Sequence, residues 1–108
     1  MGVEQRQSER SPIELAASYG IPEEIPETEE AKVQNISAGG FCIYSPKQIK
    51  NNQEFLLAVD LDHADQITVK VKSVWCQEEG EQYRVGVQII DEQTPDVNRF
   101  LEFYQSIA

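Results

Sequence analysis

The sequence predicts a mainly β domain, a six-stranded antiparallel β-barrel followed by one C-terminal α-helix. Several runs of residues alternate apolar and polar side chains, which is the period of a half-buried strand. Short segments containing Gly, Asn or Pro separate these runs, as in a small barrel made of hairpins. Near the end of the chain the apolar period changes to that of a helix. These three observations predict the fold class.

The first strand is predicted at 12–19, where Ile13, Leu15, Ala17 and Tyr19 share one face. Polar and small residues occupy the other face, so this strand is expected to bury one side only.

Residues 20–31 combine prolines with a run of glutamates and are predicted to form an exposed loop. Five further strands then follow from the alternation and the turn residues between them. They are predicted at 32–37, 40–45, 54–61, 66–76 and 82–90. Asn51 and Asn52 mark a turn, because asparagine tolerates left-handed backbone geometry.

The helix is predicted to start at Thr94, a residue that caps helix N-termini, with Pro95 in the first turn. Its apolar stripe consists of Val97, Phe100, Leu101 and Tyr104, with Phe103 and Ile107 beside it. We expect this stripe to pack on the barrel, while a face that docks a partner is the less favoured interpretation.

Length and charge restrict the class of protein. With 108 residues the chain has room for one compact domain. Its 9 basic and 19 acidic residues give a formal net charge of −10, which argues against nucleic acid polymers or an anionic membrane as the main partner. No apolar run has the length of a membrane helix, and the polar N-terminus does not resemble a signal peptide, so a cytoplasmic location is expected.

The chain lacks the residue sets that catalysis or metal binding needs. His63 is the only histidine, and it lies far in sequence from any plausible nucleophile. The acidic segment 60–65 does not match a calcium loop, because its sixth position is Asp65 instead of glycine. Cys42 and Cys76 are expected to be buried thiols rather than a disulfide or a zinc site. We therefore expect no enzyme, no cofactor and no metal.

A short polar stretch between two predicted strands is the first candidate site. Asn35 and Ser37 flank Ile36, so in a strand the amide and the hydroxyl point to the same side. Gly39 and Gly40 follow, and glycine permits positive φ and the close approach of a ligand. We call Asn35, Ser37, Gly39 and Gly40 the polar shelf.

The second candidate lies at the N-terminus, where residues 1–11 are polar and without hydrophobic period. They are predicted to form a flexible arm, with residues 12–108 as the barrel and helix. The arm carries Arg6 and Arg10, two guanidinium groups four positions apart.

Together, Arg-x-x-x-Arg at 6–10 and Asn-x-Ser-x-x-Gly at 35–40 resemble the two signatures of the PilZ domain family, in the same order. The segments 11–19 and 83–87 also look like strands of that family. The resemblance spans nearly the whole chain and implies a PilZ-like β-barrel that binds cyclic di-GMP, a bacterial second messenger.

The resemblance also implies roles for the site residues. Arg6 and Arg10 would contact the phosphates and the guanines, because a guanidinium forks onto phosphate or guanine oxygens and stacks on purines. Asn35 and Ser37 would hydrogen-bond a guanine, and Gly40, together with Gly39, would leave room for the base.

The expected function is a receptor module in which the arm closes over the dinucleotide and an unidentified partner protein receives the signal. The alternative is a PilZ-like adaptor that binds proteins and no nucleotide. Some relatives have a further arginine directly before the first motif arginine and take up a stacked pair of ligands. That position is Gln5 here, so a single ligand molecule is expected.

Overall fold

The structure is a computed structural model that describes residues 11–21, 25–61, 65–91 and 94–107. Almost all of the predicted arm, including Arg6 and Arg10, lies outside the described residues. The described elements are β1 (Ser11–Ile21), β2 (Ile25–Ser37), β3 (Gly40–Ser45), β4 (Glu54–Asp60), β5 (Gln66–Glu79), β6 (Gln82–Ile89) and α1 (Pro95–Ile107).

The six strands form one closed antiparallel barrel in the order β1-β2-β3-β6-β5-β4, and β1 pairs with β4 to close it. The predicted fold class, a six-stranded antiparallel barrel with a C-terminal helix, is confirmed. Except at β-bulges, alternate residues of the strands point inward, as a half-buried strand requires. Strand β4 shows this most clearly, because Phe55, Leu57 and Val59 are buried between more exposed neighbours.

The second strand is longer than predicted, and the prediction of a loop over residues 20–31 is wrong. β1 extends to Ile21, β2 begins at Ile25, and the two pair from Ile21↔Ile25 onward. The first part of β2 pairs with β1 alone, because pairing with β3 starts only at Lys32. A proline is tolerated on such an unpaired edge, so Pro26 does not interrupt the strand.

Two turns agree with the residues that predicted them. Asn52 adopts a φ of 64°, the left-handed geometry expected of an asparagine turn. Gly80 adopts a φ of 66° in the hairpin between β5 and β6. β5 continues to Glu79, three residues beyond its predicted end at Cys76.

The barrel interior is filled by aliphatic and aromatic side chains from all six strands. At one end α1 closes the barrel by inserting Phe100, whose ring centroid lies 4.8 Å from that of Phe41. Burying one such ring contributes about 1.5–3 kcal/mol. Thr94 caps the helix, since the Val97 amide donates to its hydroxyl and carbonyl, as its sequence position predicts.

The side chain of Asp96 fastens the helix to the barrel by accepting a 2.8 Å hydrogen bond from the backbone amide of Thr68. Arg99 forms ion pairs with Asp96 and Asp65. Of the predicted stripe, Val97 and Phe100 are buried, whereas Ile107 is exposed. No helix among the described residues is both long enough and apolar enough to cross a membrane.

Both cysteines are free thiols, so no disulfide joins them. The prediction that they are buried is confirmed for Cys42 and wrong for Cys76, which is partly exposed. Cys42 lies on the outer side of β3, between the inward-facing Phe41 and Ile43, so neighbouring side chains on the barrel surface cover it.

Candidate functional site

The outer surface of β2, β3, β6 and β5 carries the polar shelf. Residues paired directly across neighbouring strands share a face, so the register defines two rows on this surface. The first row is Asn35–Cys42–Gly86–Trp75, and the second row is Ser37–Gly40–Gln88–Lys72. We call this surface the site face. Successive residues of a row are about 5 Å apart, and the rows are about 7 Å apart along the strands.

A β-bulge in β2 gives Asn35 its position on the site face. Val33 pairs with Ile43 but Asn35 pairs with Cys42, so Gln34 is an extra residue. Val33 and Ile36 both point into the barrel, and Gln34 and Asn35 lie between them on the outside. Without the bulge, strict alternation would turn Asn35 inward.

The amide oxygen of Asn35 is buried and accepts no hydrogen bond from any residue that the structure describes. A buried acceptor without a donor costs about 1–3 kcal/mol relative to a satisfied one. Such a vacancy on an outer face indicates that a further donor belongs to this site, from a bound molecule or from the N-terminal segment.

The two shelf glycines serve different purposes. A Cβ atom at Gly40 would lie 2.1 Å from the Val87 carbonyl oxygen, so close pairing of β3 with β6 requires glycine there. A Cβ atom at Gly39 would meet nothing within 4 Å. Neither glycine adopts positive φ, so of the two properties that glycine offers only the close approach is used, at Gly40. Gly39 instead accepts a 2.9 Å hydrogen bond from the Ile89 amide.

A second bulge shapes the opposite side of the site face. Ser73 pairs with Val87 but Trp75 pairs with Gly86, so Val74 is the extra residue of β5. Trp75 consequently lies on the outside, where its indole covers Gly86, and Val74 is 49% exposed. This side of the site is apolar and aromatic, whereas the Asn35 side is polar.

Between these two sides lies a groove of about 270 Å³. It is lined by the polar shelf and by Phe41, Val74, Trp75, Gly86, Val87 and Gln88. None of these residues carries a charge. Its volume is below the usual range of about 300–1,000 Å³ for pockets that enclose a small molecule. The groove therefore suits one flat polar ring, and charge must come from residues around it.

A hydrogen-bonded network borders the first row. The hydroxyl of Tyr44 donates to Glu79 over 2.7 Å and accepts from the Gln34 amide over 3.3 Å. Arg84 forms an ion pair with Glu79 over 3.2 Å. The hydrogen bond to Glu79 raises the pKa of Tyr44 above its ordinary value. Because Gln34 is the bulged residue of β2, this network holds the bulge that orients Asn35.

The predicted arm meets the barrel beside the shelf. Ser11, the first described residue, pairs with Ile36, which lies between Asn35 and Ser37. Arg10 directly precedes Ser11 in the sequence and is the residue of the motif nearest to this pairing along the chain. Arg6 is five residues from Ser11, a reach of at most about 18 Å. The positions of the arginine side chains lie outside the described residues.

Sequence reasoning brought together the four shelf residues but missed Trp75, Gly86 and Gln88. Strict alternation along β5 from Ile67 would turn Trp75 into the barrel, and the bulge at Val74 reverses this. A glycine within a strand indicates close approach of another group, and that signal was present at Gly86. In the described part of the chain, His, Cys, Asp and Glu side chains form no group of three or more that could hold a metal.

Comparisons with known proteins agree with this architecture. A family model described as PilZ domain matches residues 4–105. No curated protein matches the sequence. Among solved structures, the PilZ domain of YcgR from Escherichia coli with c-di-GMP superposes with a TM-score of 0.75 at 14% identity, covering 96% of this chain and 92% of that one.

The Bacillus subtilis inhibitor of motility MotI/DgrA also superposes with a TM-score of 0.75, at 19% identity over 95% of this chain and 51% of that one. YcgR from Escherichia coli in complex with c-di-GMP gives the same TM-score at 14% identity, over 96% of this chain and 46% of that one. The chain therefore spans about half the length of these two proteins. At such identities the likeness establishes a shared fold.

Proposed function

The chain belongs to the PilZ domain family, and on this premise we propose that it is a cyclic di-GMP receptor that acts by binding and not by catalysis. YcgR structures contain c-di-GMP, and their fold is the fold of this chain. The ligand consists of two guanosine units whose riboses are joined by two phosphodiesters. Its recognition requires donors and acceptors for the base edges and cations for the phosphates.

The observation that carries the proposal is the buried amide oxygen of Asn35, which has no hydrogen-bond donor among the described residues, beside the uncharged groove. Guanine has hydrogen-bond donors at N1–H and at its 2-amino group, so a guanine in the groove supplies a donor for the amide oxygen of Asn35. Ser37, on the same face one row away, adds a hydroxyl that can donate or accept. The Trp75 and Val74 side presents an apolar wall to the flat ring, and aromatic stacking stabilises a bound base.

In this proposal the N-terminal arm binds the phosphates and the second guanine. The groove has no charge, so in this proposal Arg6 and Arg10 supply the cations, from an arm that joins the barrel next to the shelf. The arm closes over the ligand, and the closed state is what a partner protein reads. With Gln5 before the first motif arginine, one ligand molecule is bound per chain, in the groove at the polar shelf.

A thermal melt with and without cyclic di-GMP tests this function. A ligand that binds only the native state increases the free energy of unfolding, by about 2.7 kcal/mol at a ligand concentration of 100 times the Kd, and therefore raises the unfolding midpoint. Cyclic di-AMP is the matched control, because adenine has neither the 2-amino group nor the N1–H donor of guanine. A midpoint that neither dinucleotide moves would favour the adaptor without nucleotide binding.

A further inference from the structure

We propose that Lys72 is a third cation of the ligand site, fixed on the barrel, and that it binds the phosphodiester on the side of the groove remote from the arm. This inference rests on the proposed function and extends it to a residue outside both sequence motifs. Two independent observations carry it, the register of the sheet and the distribution of ion pairs.

The register places Lys72 at the end of the second row. Ser37 pairs with Gly40, Gly40 with Gln88, and Gln88 with Lys72. Lys72 is flanked along β5 by the buried Val71 and Ser73, so its side chain leaves the barrel on the site face. It is therefore next to Gln88, which lines the groove, and about 10 Å from Gly40.

The ion pairs single out the same residue. In a chain of net charge −10, most described cations are neutralised by a carboxylate. Ion pairs hold Lys32, Lys47, Lys70, Arg84 and Arg99. Lys72 forms no ion pair with any residue that the structure describes, although Glu54 is its direct cross-strand neighbour. The carboxylate of Glu54 lies 3.8 Å from Lys70 instead.

A lysine without an ion pair at this position can bind an anionic group of the ligand. The groove itself carries no charge, and Ser11 brings the arm to the β2 side of the site face. A ligand with two phosphodiesters spans the face, and in this proposal the arm supplies the cations for one anionic group while Lys72 supplies one for the other, near β5. Lys72 is partly buried, as is typical of a lysine that packs its aliphatic stem on a sheet and keeps its ammonium in solvent. It supplies a positive charge there without first breaking an ion pair.

The test compares Lys72→Gln with Lys70→Gln, both in a Glu54→Gln background. Without the Glu54 carboxylate, Lys70 loses its ion pair and is then comparable with Lys72. The two lysines lie on the same face of β5, and both substitutions remove the same charge. They differ in distance from the groove by one row, about 7 Å. The measurement is the Kd for cyclic di-GMP by calorimetric titration at low salt.

We expect Lys72→Gln to raise the Kd about 3- to 10-fold, Lys70→Gln to change it less than about twofold, and Lys72→Arg to retain the affinity. At about 1 M salt, where the Debye length is about 3 Å, the difference between the two glutamine variants should shrink. Equal effects of both substitutions, or no effect of either, would overturn the role of Lys72. If the Glu54→Gln parent and the wild type both fail to bind, the proposed function itself is wrong.

Discussion

The indole of Trp75 lies directly over the backbone of Gly86, so that a Cβ atom at position 86 would be 2.4 Å from the indole nitrogen. This contact depends on the bulge at Val74, which turns Trp75 out of the barrel. It also fixes the apolar side of the groove, since both residues line it.

We therefore expect Gly86→Ala to displace the Trp75 ring and to weaken the binding of cyclic di-GMP about tenfold, because stacking on an aromatic ring contributes about 1–3 kcal/mol per base. Trp75 is the only tryptophan, so its fluorescence reports the displacement directly. Unchanged fluorescence together with unchanged affinity would contradict this account of the groove.

Gly40 and Gly39 provide a matched pair for stability. Gly40→Ala places a Cβ atom against the Val87 carbonyl and must separate β3 from β6, so we expect a loss of about 1–3 kcal/mol in the free energy of unfolding. Gly39→Ala meets no atom and should stay within about 0.5 kcal/mol of wild type. Urea denaturation of the two variants measures the difference. Equal losses would show that the close approach at Gly40 does not constrain the sheet.

Asn35→Ala should affect stability and binding in different directions. Without ligand the substitution removes a buried acceptor that has no donor among the described residues, so the unfolding midpoint should stay within about 4 °C of wild type or rise. With ligand it removes a hydrogen bond to guanine, and the Kd should increase roughly 5- to 10-fold. A large fall of the midpoint without ligand would mean that the Asn35 side chain serves the fold.

The architecture followed from the sequence because alternation, turn residues and a change to helical period all pointed to the same barrel. The start of β2 did not follow. Proline and a run of glutamates signal an exposed loop, and Thr28 and Glu30 are indeed exposed, but they belong to a strand segment that is paired on one side only. Proline and glutamate composition indicates exposure to solvent. It does not distinguish a loop from an exposed strand that is paired on one side only.

The site was predictable to the extent that it depends on local geometry. Asn35 and Ser37 share a face in any extended strand, so their grouping could be predicted. The bulges at Gln34 and Val74 depend on how neighbouring strands pair, and no local pattern shows them. Trp75 and Gln88 were missed for this reason, since their place on the site face follows only from the register of β5 and β6.

The buried Tyr19 makes the stability of the barrel depend on pH in the alkaline range. Its hydroxyl is hydrogen-bonded to Ser45 over 2.5 Å, and burial raises its pKa above the ordinary value of 10.0. The folded state therefore keeps the phenol protonated more strongly than the unfolded state does. The stability that this provides is complete below about pH 10 and is lost as the pH rises through the folded pKa.

We expect Tyr19→Phe to lower the free energy of unfolding by about 1 kcal/mol at neutral pH, through the lost hydrogen bond. Above about pH 10 the variant should lose stability less steeply than wild type, because the titrating group is gone. Urea denaturation between roughly pH 8 and 11 measures both effects. If the free energy of unfolding of the variant falls equally steeply at alkaline pH, groups other than Tyr19, such as Tyr44, cause that fall.

Calorimetric titration of the wild type and of Arg10→Ala with cyclic di-GMP at low salt tests the central claim most directly. The account predicts that the wild type binds one ligand per chain and that Arg10→Ala binds roughly 10- to 100-fold more weakly, because one guanidinium contact to a base or phosphate contributes about 1–3 kcal/mol. Ser37→Ala, the control on the shelf, should weaken binding less. No binding by the wild type, or equal affinity of wild type and Arg10→Ala, would contradict the account.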